Sequence, residues 1–304
     1  MDVLVVGSVA YDSVKTRAGT RDDVLGGSAT FFGICSSRFT PTGLVAVVGD
    51  DFRAADRALL QEQGVNIDGL ETLPGKTFRW GGEYHADMVG RDTLFTELNV
   101  FEAFAPKLTQ QQRSANIVFL ANIHPSLQCS VLDQVNCPHF VAVDTMNFWI
   151  DSAKPELLKV IERVDALLLN DEEAAQLTGE PNVSTAAKAL MELGPSLVVI
   201  KRGEHGALMF HEDERFYVPG FPLDEVIDPT GAGDTFAGGF IGHLAKTEDF
   251  TPANVRRAAV VGSLMASYCV QGFSVERLAT VTDEDISRRY EAFQDLTQFD
   301  AIHR

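Results

Sequence analysis

The sequence is poor in cysteine, and the few cysteines show no functional spacing. Only 4 of the 304 residues are cysteine. Their positions match neither a zinc-binding pattern nor a redox dithiol, so these two kinds of site are excluded and reduced thiols in the core are expected. The four are Cys35, Cys129, Cys137 and Cys269.

Long apolar runs and export signals are also missing. No apolar run approaches the roughly 18 residues of a membrane-spanning helix. No basic segment precedes the strand-like residues 3–6. We therefore expect a cytoplasmic protein with neither a membrane anchor nor a secretory leader.

Positive charge is scarce as well. The chain has 25 basic against 43 acidic residues, a formal net charge of -18. This balance argues against nucleic acid or an anionic membrane as a partner, because both bind basic surfaces. An anionic ligand would need donors placed locally around it.

Apolar, strand-like runs alternate with helical segments along most of the sequence. Continuous apolar runs suit buried parallel strands, and helical segments between them predict an α/β fold with a doubly wound, mostly parallel sheet flanked by helices. Predicted strands cover residues 3–9, 44–48, 117–121, 140–144, 166–169 and 197–201, with an edge hairpin at 207–211 and 215–218 around 212–214. Predicted helices cover 28–37, 54–63, 126–135, 155–164, 185–193, 232–246 and 252–270.

One region departs from this alternation. Residues 76–100 contain short β-like runs separated by glycines, which predicts antiparallel strands joined by turns. Residues 11–17 provide a further strand candidate after the first core strand. We interpret the two segments as a small β lid within a single domain that spans residues 1–304, since no repeat or linker interrupts the chain.

The most informative segment is residues 228–234, which read Asp-Pro-Thr-Gly-Ala-Gly-Asp. Proline and small residues suit a tight turn whose amides are open at a helix start, and such a turn binds anions. Asp234 then falls in the first helical turn, where it can act as a base beside the bound anion. The alternative is that Asp234 only caps the helix.

Other polar residues lie where predicted strands end, at the sheet edge that binds ligands in doubly wound folds. Asn170 and Glu173 are spaced as a capping box, and Asp144 ends another strand. Residues 201–206 contain two glycines, which taken alone favour a plain hairpin turn over a ligand-binding turn. Asp12 follows the first core strand and is a candidate ligand-binding carboxylate or a solvated loop residue.

These segments, together with the Leu-Gly-Gly run at 25–27, occur in the order and spacing of the ribokinase-like (PfkB) carbohydrate kinases, which the chain resembles over nearly its whole length. The resemblance implies a doubly wound sheet with a β lid and ATP-dependent phosphorylation of a sugar or nucleoside hydroxyl. It implies Mg²⁺ as a cofactor and, as in many relatives, a monovalent cation such as K⁺. Acceptor and ATP are the expected partners of a monomer or homodimer.

The resemblance also implies roles for individual residues. Asp234 matches the catalytic base, and Glu173 matches an acid that organises Mg²⁺ through water. Asp228 lies where a monovalent cation binds. The matched anion-hole amides are those of Gly231, Ala232 and Gly233. The matched acceptor contacts are Asp12, Gly26 and Gly27. The nucleotide side is matched by Asn170, Glu173, Lys201, Gly203, Gly206 and Thr230.

Phe31 departs from the family pattern. It replaces an asparagine that binds an acceptor hydroxyl in the family, and it is followed by Phe32. An aromatic ring adds apolar area and removes a polar group, which weakens the case for a small, fully hydroxylated sugar. We therefore include Phe31 among candidate acceptor contacts, with burial in the core as the alternative.

The function predicted from the sequence is ATP-dependent phosphorylation of a sugar or sugar-like acceptor. An adenosine-type nucleoside kinase is the alternative within the same chemistry. A silent sugar or nucleotide sensor has no need of Asp234. A dehydrogenase is disfavoured because the first strand is followed by Gly7 to Asp12 without the G-x-G-x-x-G pattern.

Overall fold

The computed structural model describes residues 1–211 and 214–299. The described residues form thirteen strands. They are β1 (Val3–Val6), β2 (Ala10–Thr16), β3 (Gly19–Gly26), β4 (Thr42–Gly49), β5 (Val65–Leu73), β6 (Phe78–Tyr84), β7 (Arg91–Glu97), β8 (Ile117–Leu120), β9 (Phe140–Asp144), β10 (Ala166–Asn170), β11 (Leu197–Lys201), β12 (Ala207–His211) and β13 (Glu214–Val218).

The same residues form twelve α-helices. They are α1 (Ser28–Ser36), α2 (Ala54–Glu62), α3 (Gln110–Arg113), α4 (Pro125–Leu132), α5 (Asn147–Ser152), α6 (Lys154–Ile161), α7 (Asp171–Thr178), α8 (Val183–Met191), α9 (Ala232–Thr247), α10 (Pro252–Cys269), α11 (Glu276–Thr280) and α12 (Asp283–Thr297). Short 3₁₀ segments cover Asn99–Ala103 and Gly203–His205. None of the helices within the described residues combines the length and apolar character that crossing a membrane requires.

The large sheet has the order β13-β12-β11-β10-β9-β8-β1-β4-β5. Pairing is parallel from β11 to β5, and β12 and β13 add an antiparallel edge. This order confirms the predicted doubly wound, mostly parallel sheet and the edge hairpin. Of the predicted hairpin turn, residues 212 and 213 lie outside the described residues.

The sheet is covered on both faces, which explains its continuous apolar strands. In β1, Val3 and Val5 belong to one core cluster, while Leu4 and Val6 belong to the other. The first cluster lies under α1, α9 and α10, and the second under α4, α6, α7 and α8. Every residue of β1 is thus buried, whichever face it points to.

Glycines bring α9 close to its neighbours. A Cβ on Gly238 would lie 2.7 Å from the carbonyl oxygen of Phe32 in α1, and one on Gly239 would lie 3.1 Å from the Cα of Gly262 in α10. Larger residues would force these helices apart. The glycines that follow residues 228–234 therefore fix the position of the start of α9 against α1.

A second, small sheet has the order β3-β2-β6-β7. It contains the two segments that were predicted to form the lid, and β6 and β7 pair antiparallel as expected. Two features were not predicted from the sequence: β3 joins the sheet, and β2 pairs with β6 in parallel. The strand candidate at 11–17 corresponds to β2.

One face of the small sheet, here called the inner face, points to the loop that precedes α9. Asp12 pairs with Trp80, and Tyr84 pairs with Arg91, so these side chains share a face. Trp80 and Tyr84 pack with Val226 and other apolar residues of this face. The Tyr84 hydroxyl lies 3.2 Å from Oγ1 of Thr230.

The cysteine prediction is confirmed in part. All four cysteines are free, and Cys35 and Cys269 are buried. Cys137 is exposed, and it lies in the connection before β9. The expectation of a core thiol is wrong there, because the residue belongs to a surface loop.

Candidate active site

The start of α9 presents backbone amides without protein acceptors. Gly231, at the N-cap, has φ of 77°, a left-handed conformation that glycine adopts without strain. The N–H groups of Gly233 and Asp234 have no acceptor in another residue of the described chain, whereas Ala232 N–H donates to the Pro229 carbonyl oxygen at 3.2 Å. In this conformation the open amides at the start of α9 are therefore those of Gly231, Gly233 and Asp234, and of the three predicted anion-hole amides only that of Ala232 is already engaged.

Asp234 lies in the first turn of α9, as predicted, and its side chain is partly buried. Burial raises the pKa of this carboxyl to about 7, and the neighbouring charge of Asp144 adds to the rise. Lys201 and Arg91 oppose it. A carboxylate that titrates near neutral pH is suited to accept a proton from a substrate hydroxyl.

Lys201 brings positive charge to the same place. It ends β11, and its Nζ lies 2.7 Å from Oδ2 of Asp144 at the end of β9. A Cβ on Gly233 would lie 3.1 Å from this Nζ, so the ammonium passes beside the open amides. Burial alone lowers the pKa of Lys201, but Asp144 and Glu173 outweigh it and the net pKa is raised.

Asn170 and Glu173 form the capping box that their spacing predicted. Asn170 Oδ1 accepts a hydrogen bond from Glu173 N at 2.7 Å, and Glu173 Oε2 accepts one from Asn170 N at 2.8 Å. Burial raises the pKa of Glu173 to about 7, with Asp144 contributing. Glu173 Oε1 has no hydrogen bond within the described residues, which leaves it for a water or an ion.

The predicted acceptor contacts also meet. Asp12 is buried, and a Cβ on Gly26 would lie 2.0 Å from its Oδ2, so the carboxylate lies directly against Gly26. Burial raises the pKa of Asp12 to about 7, the charges of Asp228 and Asp234 raise it further, and the Gly27 amide opposes the rise.

Phe31 lies beneath this centre. Its side chain is 1% exposed and belongs to the core. A Cβ on Gly231 would lie 2.4 Å from three ring carbons of Phe31, which shows that the ring packs flat against this glycine. Phe31 is therefore a core residue that supports the turn before α9, as one of the two interpretations of the sequence expected. Its role toward an acceptor stays a prediction.

Asp228 and Thr230 brace the loop before α9. Asp228 is 1% exposed, and its oxygens accept hydrogen bonds from Thr230 N at 2.9 Å and Ser274 N at 3.2 Å. Burial raises the pKa of Asp228. The carboxylate therefore ties the loop before α9 to the segment after α10.

The turn that contains Gly203 and Gly206 follows Lys201. Gly203 has φ of 53° and Gly206 has φ of 82°. A Cβ on Gly206 would lie 2.1 Å from the Val218 carbonyl oxygen, so close backbone packing requires glycine there. This is the hairpin-turn geometry that the sequence predicted, and a nucleotide contact by these residues stays a prediction.

Sequence reasoning missed several residues of the site. Trp80, Tyr84 and Arg91 of the inner face were not singled out as site residues. Asp144 was expected at the ligand-binding edge of the sheet as a residue lining the phosphate path, but its ion pair with Lys201 was not predicted. The available signal was the i, i+2, i+4 spacing of Trp80, Gly82 and Tyr84, which places all three on one face of β6.

The arrangement combines a base, open amides, one lysine and several acids. No group of three or more His, Cys, Asp or Glu in the described part of the chain is arranged to hold a metal ion. Glu173 and Asp144 nevertheless offer oxygens beside the amides, and Mg²⁺ at phosphates keeps waters and needs few protein ligands. The residues therefore fit an ion that a bound phosphate brings with it.

Comparison with known proteins gives a consistent result. A family model described as pfkB family carbohydrate kinase matches residues 3–277. A cytidine kinase of Thermococcus kodakarensis is 31% identical over 250 residues, which cover 79% of this chain and 87% of that protein.

Solved structures of similar fold include a nucleoside kinase of Methanocaldococcus jannaschii, with a TM-score of 0.76 at 20% identity over 96% of this chain and 99% of that one. A putative ribokinase II of E. coli, solved with ATP and Mg²⁺, has a TM-score of 0.78 at 19% identity over 97% and 99% of the two chains. At these identities the likeness concerns the fold.

Proposed function

The chain belongs to the pfkB family of carbohydrate kinases, and from this kinase membership we propose that it transfers the γ-phosphoryl group of ATP to a hydroxyl of a nucleoside. The observation that carries the proposal is the start of α9, where the open amides of Gly233 and Asp234 lie beside a carboxylate whose pKa is about 7. A base next to an anion site is what phosphoryl transfer to an alcohol requires.

In this mechanism Asp234 accepts the proton of the acceptor hydroxyl and orients its oxygen toward the γ-phosphorus. The amides at the start of α9 donate to the phosphoryl oxygens as negative charge develops on them. Lys201, held by Asp144, lies next to these amides and adds a fixed positive charge. Bound Mg²⁺ supplies neutralisation of the phosphates, and Glu173 is the residue that we assign to its water shell.

ATP and Mg²⁺ are proposed on two grounds. The buried acids would repel a bare polyphosphate, so the donor must arrive with a counter-ion. The solved relative of similar fold contains both ATP and Mg²⁺. On the nucleotide side we assign Asn170, Thr230, Gly203 and Gly206, in addition to Lys201.

The acceptor is proposed to be a nucleoside because the acceptor side is partly aromatic. Asp12 pairs with Trp80 on the inner face, and a Cβ on Gly82 would lie 2.3 Å from the Trp80 ring, so the indole lies flat over this glycine. Such a ring offers a stacking surface for a base, while Asp12, Gly26 and Gly27 accept or approach ribose hydroxyls. The similarity to a cytidine kinase agrees with this assignment.

The test is a panel of cytidine, adenosine, guanosine, inosine, ribose and fructose, each with MgATP, with the phosphorylated product identified by mass spectrometry. We expect a nucleoside to be the best acceptor and Asp234→Asn to abolish product formation. A free sugar as best acceptor would replace the nucleoside in the proposal. No product from any acceptor, with ATP hydrolysis unaffected by Asp234→Asn, would refute the kinase assignment of this site.

Trp80→Ala tests the stacking surface. We expect the KM of the preferred nucleoside to rise by about tenfold, since stacking on an aromatic ring is worth on the order of 1–3 kcal/mol, while the KM of ATP is unchanged. Phe95→Ala is the matched control, because Phe95 packs on Gly81 on the opposite face of the same sheet. Equal effects of the two substitutions would contradict a specific role of Trp80.

A free sugar is the second candidate, and one observation favours it. The buried carboxylate of Asp12 beside Gly26 and Gly27 is a hydroxyl-binding arrangement that does not require a base. The acceptor panel separates the two candidates. A site for free sugars would not discriminate between ribose and its nucleosides, because Trp80 would not bind a base there.

A monovalent cation near Asp228 and Thr230 is a further part of the proposal. The Asp228 carboxylate is buried and fixes the loop next to the open amides. An ion bound to this loop would stabilise its conformation. Replacement of K⁺ by tetramethylammonium is expected to lower the rate at constant ionic strength, and an unchanged rate would remove K⁺ from the proposal.

We propose further that the protein acts in the cytoplasm as a monomer or homodimer, with no nucleic-acid or membrane partner. The formal charge of -18 disfavours anionic partners. Sedimentation velocity and fractionation of source cells test assembly and location.

A further inference from the structure

Arg91 occupies a position on the inner face that the functions assigned above do not use. It is the first residue of β7, and it pairs with Tyr84, whose hydroxyl lies 3.2 Å from Oγ1 of Thr230 in the loop before α9. The two side chains share a face of the sheet. Arg91 is therefore carried by the small sheet to the opening of the anion site.

The charge balance of the site calls for a second cation. Five carboxylates converge there, from Asp12, Asp144, Glu173, Asp228 and Asp234. The one lysine among them, Lys201, is already engaged with Asp144. A transferring phosphoryl group adds negative charge that this lysine does not balance.

Arg91 is available for that purpose. Within the described part of the chain its side chain makes no ion pair or hydrogen bond, and this side chain is exposed. Its guanidinium carbon lies 5.8 Å from the centroid of the Trp80 ring, a weak contact that costs little to leave. Burial raises the pKa of Asp234 and Glu173, and the charge of Arg91 acts against the rise at both.

We propose that Arg91 is a catalytic residue supplied by the small sheet, whose guanidinium binds the phosphoryl group during its transfer. This inference rests on the proposed phosphoryl transfer. The acceptor O–H bond breaks and its proton goes to Asp234. The bond from the acceptor oxygen to the γ-phosphorus forms, the bond from that phosphorus to the bridging oxygen of ADP breaks, and Arg91 remains protonated throughout.

The geometry explains why an arginine, rather than a lysine, stands at this position. A guanidinium presents two parallel N–H donors to two phosphoryl oxygens and stacks on an aromatic ring when free. Because Arg91 lies on the small sheet, the site is complete only when this sheet lies over the bound substrates. Water is then disfavoured as the acceptor.

The experiment compares Arg91→Gln, Arg91→Lys and Arg17→Gln. Arg17 follows β2 in the same small sheet, is exposed, and its substitution changes the net charge by the same amount. The first readout is the binding of MgADP alone and of MgADP with aluminium fluoride, a mimic of the transferring phosphoryl group, by calorimetry. The second is kcat and KM with the best acceptor.

We expect Arg91→Gln to bind MgADP within about threefold of the parent protein but the aluminium fluoride complex at least about tenfold more weakly. Its kcat should fall by about 100-fold or more. Arg91→Lys should recover part of both losses, and Arg17→Gln should resemble the parent in every readout.

Several results would overturn the inference. Equal losses in Arg91→Gln and Arg17→Gln would indicate a general charge effect. A rise in acceptor KM at constant kcat would make Arg91 an acceptor contact instead. Unchanged binding of the aluminium fluoride complex would refute it even if no acceptor were phosphorylated, so this arm is independent of the nucleoside assignment.

Discussion

At the scale of single residues, the site holds acids under conditions that favour their protonated forms. Asp12, Glu173 and Asp234 each have a pKa raised to about 7, with burial as the largest cause. A buried carboxylate is costly to ionise, and the cost is tolerated where a base must titrate near neutral pH. The site is therefore expected to lower the stability of the folded protein above pH 7.

Asp234→Asn tests this cost. Below about pH 4 the carboxyl is protonated in both the folded and unfolded chains, and between about pH 4 and 7 only the unfolded chain ionises. The raised pKa of Asp234 therefore lowers the free energy of unfolding progressively as the pH rises from about 4 to 7. We expect the variant to gain about 1–3 kcal/mol in the free energy of unfolding at pH 8, and less at pH 5, by urea denaturation.

Asp22→Asn is the control for this experiment, because Asp22 is an exposed acid of β3 and carries the same charge. It should change stability by less than about 0.5 kcal/mol at either pH. A gain for Asp234→Asn that is the same at pH 5 and pH 8 would contradict the burial argument.

Gly231→Ala tests the backbone of the anion site. Gly231 has φ of 77° and lies against the Phe31 ring, whereas Gly179 has φ of 80° and no atom within 4 Å of a built Cβ. Gly179→Ala should cost about 1–2 kcal/mol with little loss of activity. Gly231→Ala should cost on the order of 3 kcal/mol or more and abolish activity. Equal stability losses would contradict the contact with Phe31.

At the scale of secondary structure, the site depends on how helices begin. Asn170 is the N-cap of α7 and Asn182 is the N-cap of α8, and in both cases the asparagine side chain accepts hydrogen bonds from backbone N–H groups of the first turn. Only α7 starts where a strand of the large sheet delivers it to the site, next to Lys201. We propose that the same local cap is purely structural in α8 and helps to form the site in α7.

Asn170→Ala and Asn182→Ala separate these uses. Each removes one N-cap, so each should lower the free energy of unfolding by about 1 kcal/mol. Only Asn170→Ala should raise the KM of MgATP, by about tenfold or more, since it exposes the Glu173 amide beside the phosphate site. The measurement is thermal unfolding together with steady-state kinetics. A similar KM change in both variants would make Asn170 a structural cap alone.

At the scale of the whole molecule, charge is the dominant property. The formal net charge is -18 at pH 7 and the sequence pI is about 4.7. Uncompensated negative charge destabilises the compact state by self-repulsion, and salt screens it over about 8–10 Å at physiological ionic strength.

We therefore expect the urea midpoint at pH 7.5 to rise as NaCl increases from about 10 to 200 mM, a range over which the Debye length falls from about 30 Å to below 8 Å. The same series near the pI, where the net charge is small, should show little change. A midpoint that is independent of salt at pH 7.5, or that falls, would show that self-repulsion is balanced within the fold.

The large sheet and the anion site were predictable because their signals are local. Six of the seven parallel strands, all but the unpredicted edge strand β5, are buried on both faces, and the turn at 228–234 carries its own proline and glycines. β3 was missed for the opposite reason. Its residues 20–23 are polar and exposed, so the strand exists because β2 pairs with it, and a strand defined by its partner has no pattern of its own.

The succession of the core strands along the chain, the family and the position of Asp234 in an anion-binding turn follow from the sequence alone, because hydrophobic periodicity and turn chemistry act over a few residues. Tertiary structure decided which distant groups meet: Lys201 with Asp144, Phe31 with Gly231, and Tyr84 with Thr230. These encounters depend on register and on the close packing of glycine-bearing helices. Neither strand register nor helix packing can be inferred from the residues at one position, because both depend on residues of several elements.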